Sequence, residues 1–302
     1  MSGPVRPATV PAGPTPRVFV VGAGLMGSGI AAQCALAGFP VTLEDISEAF
    51  VDRGLARAAR ALEHATSRGE IDPAQRDAAR GRIGKAVGLD GAATADAIIE
   101  AAPEDLELKR SLFAELERRA GTQAILASNT SSLPIGSIGT GLRDPSRLVG
   151  LHFFNPVLQM PLVELIAGPQ TQEEAIQRAE RFAVALGKTV VRSADTPGFV
   201  TSRALAVLVN EAARMLQEHV AQPADIDTAY RLGFHHPMGP FELVDLVGID
   251  TTVAILDVLY AGLKDERYRA CPLLREMVAQ GKLGRKSGQG FYAYPAHGAP
   301  KR

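Results

Sequence analysis

Short apolar runs alternate with longer amphipathic stretches between Arg17 and Ser193. Runs rich in Val, Ile and Leu are typical of buried strands, and apolar positions repeated every three to four residues are typical of helices. This alternation favours an α/β fold in which helices cover both faces of a mainly parallel sheet. We predict strands at 17–22, 41–45, 97–101, 124–128, 148–152, 162–166 and 189–193, and helices at 25–37, 106–120 and 172–186.

Two further regions have helical periodicity. The segment 47–83 is interrupted at Asp72-Pro73, a helix-start signal, so we predict two antiparallel helices there. Strand signals stop after DTPGF at 195–199, which places a domain boundary near residue 194. Beyond it we predict helices at 201–218, 223–232, 241–247 and 250–263. The apolar run ALAVLV within the first of these suggests a helix that is buried on most sides, and a dimer interface is one way to bury it.

Composition narrows the class of protein. The chain has 302 residues, 46% hydrophobic and 22% charged, with a formal net charge of -1. A nearly neutral chain has no long-range attraction for nucleic acid or an acidic membrane, so we expect a small-molecule partner. Cys34 and Cys271 are too few for a disulfide framework or a metal cluster. Residues 1–16 are rich in proline and lack an apolar run, so we expect a disordered tail on a cytoplasmic protein.

The sequence VVGAGLMGSGI carries a G-x-G-x-x-G pattern at Gly22, Gly24 and Gly27. Alone, the pattern is weak, because a tight turn without a ligand would explain it. Here it follows a predicted strand and opens a predicted helix, which is the context of a Rossmann-type dinucleotide site. The N-terminus of that helix, at Leu25 and Met26, would offer unpaired N–H groups and a positive dipole end to a pyrophosphate.

Asp45 ends the second predicted strand, 23 residues after Gly22. A carboxylate at this position accepts hydrogen bonds from the adenosine ribose and repels a 2'-phosphate, which favours NAD over NADP. Glu44 would add to the repulsion if it faced the same way. A helix cap before residues 46–50 is a structural role that Asp45 could fill at the same time.

His152 ends a predicted strand, and Glu164 lies within the next apolar strand. A lone histidine there is more often a satisfied core residue than a catalyst. However, ligands of such sheets bind outside the carboxyl ends of the strands, Asn155-Pro156 predicts a turn directly after the histidine, and a carboxylate in an apolar strand needs a partner. A His–Glu pair would hold one imidazole tautomer and stabilise the imidazolium. We therefore predict an acid/base pair that needs no metal.

A polar cluster, ASNTSSL, follows the strand at 124–128. Its Ser128, Asn129 and Thr130 could simply cap the next segment. A hydroxyl at this strand end would equally be placed to hydrogen-bond a substrate oxygen, and we take Ser128 as that candidate.

Several motifs together resemble the 3-hydroxyacyl-CoA dehydrogenase family, close to the 3-hydroxybutyryl-CoA dehydrogenases. They occur in the family's order from Arg17 to Tyr294: GAGLMGSGIA, VTLED, EAAPEDLELK, ASNTSSL, GLHFFNPV, PLVEL, DTPGF, HPMGPFELVDLVGID and GRKSGQGFY. The resemblance implies an NAD-binding Rossmann-type domain at 17–194 and a helical domain for substrate binding and homodimerisation at 195–302. It also implies interconversion of an L-3-hydroxyacyl-CoA and its 3-oxo form, in fatty-acid, butyrate or polyhydroxybutyrate metabolism.

The resemblance also assigns roles to individual residues. His152 becomes the acid/base, Glu164 its partner and Ser128 a hydrogen-bond donor to the substrate oxygen. The implied cofactor contacts are Ala101, Glu104, Lys109, Ser128, Asn155 and Lys286, and the implied CoA contacts, on the helical pair after the second strand, are Arg53, Arg57, Arg60 and Arg68. Those arginines could equally be a solvated helix face, since acidic residues are interspersed with them.

The chain departs from the family pattern at two places. Ser202, in DTPGFVTSR, stands where the family usually has an active-site Asn, and Gln159 and Pro161 replace an apolar residue and a lysine. Both changes leave His152 and Glu164 in place, so they concern the substrate more than the chemistry. Alternatives are therefore the same reaction on a carrier-protein-bound or a free, carnitine- or gulonate-like hydroxy acid, or a catalytically inactive NAD-binding protein.

Overall fold

The computed structural model describes residues 15–294, so the tail expected at 1–16 lies almost wholly outside the described residues. Within the described part, the chain divides into two compact units between Thr196 and Pro197. The first unit carries a sheet covered by helices, and the second is built from helices.

The sheet of the first unit has eight strands in the order β3-β2-β1-β4-β5-β6-β7-β8. Strands β1 to β6 run parallel, β7 runs antiparallel to β6, and β8 runs parallel to β7. The predicted α/β class with a mainly parallel sheet is therefore confirmed. The strands are β1 Val18–Val21, β2 Val41–Asp45, β3 Ile83–Val87, β4 Ala97–Glu100, β5 Ile125–Ser128, β6 Leu148–Phe153, β7 Leu162–Ala167 and β8 Thr189–Ala194.

The helices of the first unit begin and end at the residues that local chemistry favours. Gly38 has φ +98°, which glycine adopts without strain, and it follows the end of α1. Asp72 caps α3 with a capping box formed with Gln75, and Pro73 fills the first helical position. The helices are α1 Leu25–Leu36, α2 Glu48–Ser67, α3 Pro73–Gly81, α4 Leu106–Arg119, α5 Ile135–Ile138 and α6 Glu173–Ala185.

The sequence missed one strand and two short helices. Residues up to Ile83 were predicted as helix and 84–87 were given no element, but Ile83–Val87 forms β3 at the edge of the sheet. None of its five residues is fully buried, so no apolar run marks it. The four-residue helix α5 is too short to show a periodic pattern, and the later helix Pro272–Ala279 was given no element either.

A buried lysine fixes the turn that follows β6. Lys188 Nζ donates to the carbonyl oxygens of Val157, at 2.5 Å, and Met160, at 2.9 Å, and to Gln33 Oε1 at 3.2 Å. Burial lowers the pKa of Lys188 to about 8, because no carboxylate accompanies the ammonium among its hydrogen-bond acceptors. The turn at 156–160 is thus tied to α1 and to the start of β8.

Between residues 197 and 294, the second unit packs five α-helices around its own apolar core, which includes Val209, Phe241 and Leu256. Buried polar side chains satisfy backbone groups between the helices. Asn210, for example, donates to the Arg267 and Arg269 carbonyls and accepts from the Cys271 N–H. The helices are α7 Thr201–Gln217, α8 Pro223–Gly233, α9 Pro240–Val247, α10 Ile249–Leu263 and α11 Pro272–Ala279.

Among the described residues, no single helix has the length and apolar character needed to cross a membrane. Helices α9 and α10 reach that length and apolar character only when they are taken together, and the chain bends by 95° between them.

Candidate active site

The predicted site residues of the first unit gather along one edge of the sheet. Strands β1, β2, β4, β5 and β6 are parallel neighbours, so their carboxyl ends lie at the same edge. The residues at or just after those ends are Gly22, Asp45, Ala101, Ser128 and His152. Ligands of open α/β sheets bind at this edge, so the topology alone brings the predicted cofactor and acid/base residues together.

The glycine-rich turn between β1 and α1 leaves no room for side chains at two of its three glycines. Gly22 has φ +96°, and a Cβ there would lie 2.7 Å from the Ala101 carbonyl oxygen. A Cβ on Gly27 would lie 1.8 Å from the Gly22 carbonyl oxygen, so α1 packs directly on the turn. A Cβ on Gly24, by contrast, would meet no atom within 4 Å. The backbone of Gly24 therefore borders open space, as the approach of a pyrophosphate requires.

The start of α1 and the end of β2 complete a cradle that fits a dinucleotide. Leu25 and Met26 open α1, where backbone N–H groups lack helical partners. Asp45 Oδ2 accepts the Ala23 N–H at 2.8 Å, and its Oδ1 accepts the Ile46 N–H at 2.7 Å. The carboxylate of Asp45 is therefore held beside the turn, where a ribose diol would meet it.

Glu44 faces a different neighbour from Asp45. Successive side chains of a strand point to opposite faces of the sheet, and Glu44 Oε1 accepts the Gly88 N–H at 3.2 Å. Burial raises the pKa of Glu44 to about 7; the Gly88 hydrogen bond opposes this shift, and the charge of Asp45 adds to it. The repulsion of a 2'-phosphate that the sequence predicts at this strand end therefore rests on Asp45 alone.

A buried ion pair lies beneath the ends of β4 and β5. Glu100 is fully buried, and its Oε1 accepts from Lys109 Nζ at 2.6 Å and from the Ala102 N–H at 2.7 Å. Its Oε2 accepts from the Ser128 hydroxyl at 2.6 Å. Lys109, which the resemblance assigns to the cofactor, is thus held by a carboxylate that the sequence analysis did not single out. The only signal for Glu100 was a charged residue at the end of an apolar strand.

Ser128 and Ser131 occupy different environments. Ser128 is buried, and its single hydroxyl proton is directed to Glu100. Ser131 is partly exposed, and its backbone N–H donates to Glu104 Oε1 at 3.1 Å. Its hydroxyl makes only a long contact with the same oxygen, at 3.5 Å, against 2.6 Å for the Ser128 hydroxyl and Glu100. Ser131 therefore offers the more accessible hydroxyl of the ASNTSSL segment to a ligand. The sequence missed it because a turn has no periodicity from which burial could be read.

Glu104 ties this segment to α4. Its Oε1 accepts from the Thr130 hydroxyl at 2.6 Å, and its Oε2 lies 3.4 Å from Lys109 Nζ. Burial alone would raise the pKa of Glu104, but the Lys109 charge and these hydrogen bonds outweigh it and hold the pKa below its usual value. Glu104 is therefore anionic at neutral pH and organises the turn after β5.

His152 and Glu164 are direct cross-strand neighbours in the antiparallel pair β6 and β7. His152 Nδ1 lies 2.7 Å from Glu164 Oε2, and Glu164 is 0% exposed. A buried carboxylate at this distance favours the tautomer that carries its proton on Nδ1 and its lone pair on Nε2. The Phe154 ring, whose centroid is 4.5 Å away, packs against the imidazole.

The segment after β6 turns sharply. Asn155 is exposed and joined to Pro156 by a cis peptide bond, and the Gln159 and Met160 N–H groups both donate to the Pro156 carbonyl. Asn155 lies three residues after His152, at the same edge of the sheet. Gln159 is partly exposed and lies within this turn.

The four arginines predicted for CoA make different contacts. Arg53 lies over the Phe50 ring, 4.4 Å from its centroid, and Arg68 pairs with Glu70 at 2.6 Å. Arg57 Nη1 donates to the carbonyl of Ala23 in the glycine-rich turn at 3.1 Å. Arg60, one turn beyond Arg57 on α2, has no hydrogen bond or ion pair with any residue between 15 and 294.

Two predicted residues lie in the second unit. Ser202 is buried in the first turn of α7. Lys286 lies in the short helical turn Arg285–Ser287, and its Nζ is 2.6 Å from Asp250 Oδ1, so the start of α10 holds its ammonium.

Comparison with known proteins identifies the same family over both units. Residues 17–196 match the model of the 3-hydroxyacyl-CoA dehydrogenase NAD binding domain, and residues 198–294 match that of the 3-hydroxyacyl-CoA dehydrogenase C-terminal domain. A probable 3-hydroxybutyryl-CoA dehydrogenase of Deinococcus radiodurans is 44% identical over 275 residues, 91% of this chain and 99% of the relative.

Two crystal structures are similar over almost their whole length. FadB2 of Mycobacterium tuberculosis has a TM-score of 0.91 at 44% identity, covering 93% of this chain and 99% of that one. The (S)-3-hydroxybutyryl-CoA dehydrogenase PaaH1 of Ralstonia eutropha has a TM-score of 0.89 at 40% identity, with the same coverage.

The raised pKa of Glu44 should make the stability of the protein depend on pH. Its pKa of about 7 lies above the ordinary 4.5, so the native state binds a proton that the unfolded chain releases. The stability contributed by this proton is present below pH 4.5 and is lost as the pH rises through 7. Glu44→Gln removes the charge and can keep an acceptor for the Gly88 N–H. We expect the melting temperature of this variant to exceed that of the wild type, by a margin that grows between pH 5 and pH 8.

Scanning calorimetry at several pH values measures this margin. Glu48→Gln, at an exposed position nearby, controls for the loss of one negative charge. A margin for Glu44→Gln that stays constant from pH 5 to pH 8 would contradict the raised pKa.

Proposed function

Because the chain belongs to the 3-hydroxyacyl-CoA dehydrogenase family, we propose that it interconverts a short L-3-hydroxyacyl-CoA, 3-hydroxybutyryl-CoA first of all, and the corresponding 3-oxoacyl-CoA. The observation that carries the chemistry is the 2.7 Å contact between His152 Nδ1 and Glu164 at the carboxyl edge of the sheet. The substrate rests on the similarity to relatives named for 3-hydroxybutyryl-CoA, which extends over nine tenths of both chains.

His152 acts as the acid/base in this proposal. Its Nε2 takes the proton of the substrate hydroxyl during oxidation and returns it to the oxygen during reduction. Glu164 accepts a hydrogen bond from Nδ1–H and stabilises the imidazolium, because the carboxylate is buried where its charge is weakly screened. Glu164 is thus a positioning residue that also makes the histidine a better base.

When bound, NAD would supply the acceptor for the hydride that leaves the hydroxyl-bearing carbon of the substrate. The glycine-rich turn and the first residues of α1 would hold its pyrophosphate, and Asp45 would hold the adenosine ribose. Glu104, Lys109 and Asn155, at the same edge, remain candidates for its nicotinamide half.

The hydroxyl of Ser131 is better placed than that of Ser128 to contact a substrate oxygen, because Ser128 is buried and donates to Glu100. Ser128 instead orders the turn that presents Ser131.

For the phosphates of CoA, Arg60 and Arg53 on α2 are the available cations, since Arg57 and Arg68 are hydrogen-bonded elsewhere.

The helical unit supports a homodimer. It exposes a set of large apolar side chains that a partner surface would cover: Val220, Leu232, Phe234 and Leu246. Sedimentation equilibrium of the purified chain should give twice the chain mass of 31.9 kDa. A single species of 31.9 kDa would rule the dimer out.

Substrate choice is tested by following NADH consumption with three 3-oxo substrates. We expect acetoacetyl-CoA to be reduced with a kcat/KM at least a hundredfold higher than free acetoacetate or an acetoacetyl-carrier-protein thioester. Ser202 and Gln159 differ from the usual residues of the family, and such differences would favour one of the other two substrates. Turnover of free acid or carrier thioester without turnover of the CoA ester would replace the proposed substrate. NADH binding without any turnover would indicate a catalytically inactive protein.

His152→Gln should lower kcat by about 10²–10⁴-fold, the usual contribution of a positioned acid/base, with the Kd of NADH unchanged. Glu164→Gln should also lower kcat, since its amide cannot stabilise the imidazolium, but it should add little to the loss in a His152→Gln background. His64→Gln, at an exposed position on α2, is the matched control. Steady-state rates within tenfold of the wild type for His152→Gln would exclude the acid/base role.

A further inference from the structure

Helix α2 contacts the glycine-rich turn through two residues on one face. Gly54 packs so closely that a Cβ there would lie 2.6 Å from the Ala23 Cβ and 2.9 Å from the Ala23 carbonyl oxygen. Three residues later, the Arg57 guanidinium donates to that same carbonyl at 3.1 Å. Arg57, for which the family resemblance implies a contact with CoA, is therefore directed at Ala23, the residue between Gly22 and Gly24.

Arg57 is the main donor to the Ala23 carbonyl. The Ser28 hydroxyl also lies 3.1 Å from this oxygen, but it has a single proton and a closer acceptor, the Gly24 carbonyl at 2.6 Å. On the other side of the same residue, the Ala23 N–H donates to Asp45 at 2.8 Å. Charged side chains thus hold both peptide groups that flank the α-carbon of Ala23.

Peptide planarity carries this restraint to the cofactor side of the turn. The carbonyl of Ala23 and the N–H of Gly24 belong to one rigid plane and point in opposite directions. Fixing the carbonyl therefore fixes the direction of the Gly24 N–H. The space beside Gly24 is open, with no atom within 4 Å of a Cβ built there. An N–H held in advance costs less entropy when it binds an anion than one that must be ordered.

We propose that Arg57 is a positioning residue for NAD, acting through the Ala23–Gly24 peptide, and is not a ligand of the CoA phosphates. The contrast with Arg60 on the same helix supports this division, because Arg60 has no hydrogen-bonding partner within the described part of the chain. The inference depends on the NAD site and not on the identity of the substrate.

The test is the affinity of Arg57→Met for NADH, measured by fluorescence titration without any acyl-CoA. We expect the Kd to rise roughly three- to tenfold, as for the loss of one partly exposed charge-assisted hydrogen bond. The KM of acetoacetyl-CoA and kcat at saturating NADH should stay within twofold of the wild type. Arg80→Met, at an exposed position on α3, is the matched control and should leave the Kd unchanged.

Salt dependence separates positioning from a direct contact with the pyrophosphate. Because the acceptor is a neutral carbonyl, the ratio of the Kd values of variant and wild type should be the same in 50 and 300 mM salt, whereas a direct ion pair would make it fall as salt rises. Arg57→Lys, which keeps a cationic donor of similar reach, should recover most of the affinity even if Arg57→Met lowers the melting temperature.

Three results would overturn the proposal. An unchanged Kd for NADH with a raised KM for acetoacetyl-CoA would return Arg57 to the CoA site. A ratio of the Kd values of variant and wild type that falls to one at high salt would make Arg57 a direct ligand of the cofactor. A Kd raised equally in the Met and Lys variants would show that a cationic donor at this position does not restore the affinity, and that the effect is not donation to Ala23.

Discussion

The candidate active site depends on the antiparallel register of β6 and β7. In this register His152 lies directly opposite Glu164, so that both side chains leave the sheet on the same face. A shift of one residue would move Glu164 to the other face and leave a carboxylate buried without the imidazole. Because β7 runs antiparallel to β6, it places a buried hydrogen-bond acceptor, Glu164, beside His152. His152 itself lies near the carboxyl end of β6, at the edge of the sheet where ligands bind.

The cofactor side of the site depends on close packing instead of on a single pair. Gly22 and Gly27 let the turn, β4 and α1 approach one another within distances that a side chain would prevent. Asp45 and Arg57 then hold the peptide groups on either side of Ala23. A turn fixed in this way presents its N–H groups in place before an anion arrives, which is what a helix N-terminal binding site requires.

Most strands that carry the site could be predicted because they are buried and therefore appear as continuous apolar runs. The edge strand β3 could not, since three of its five residues are exposed. His152 and Glu164 stood out because each is polar within an apolar run. Ser131 and Glu100 did not, because local pattern does not reveal which hydroxyl of a turn is buried or which charge another strand will meet. Arg57 appeared to be one of several helix arginines, and only the tertiary contact with Ala23 distinguishes it.

Two buried carboxylates, Glu100 and Glu164, anchor the site, and stability alone does not explain them. Removing a carboxylate from water costs several kcal/mol, and a well-packed apolar residue in its place is often as stabilising or more so. What each carboxylate provides is direction: Glu164 sets the tautomer of His152, and Glu100 holds Lys109 and Ser128 together beneath the ends of β4 and β5. Glu100 is paired with the ammonium of Lys109, and Glu164 is hydrogen-bonded to an imidazole that becomes positively charged when it takes a proton. The first unit can therefore keep its polar groups fixed at the edge where the ligand binds.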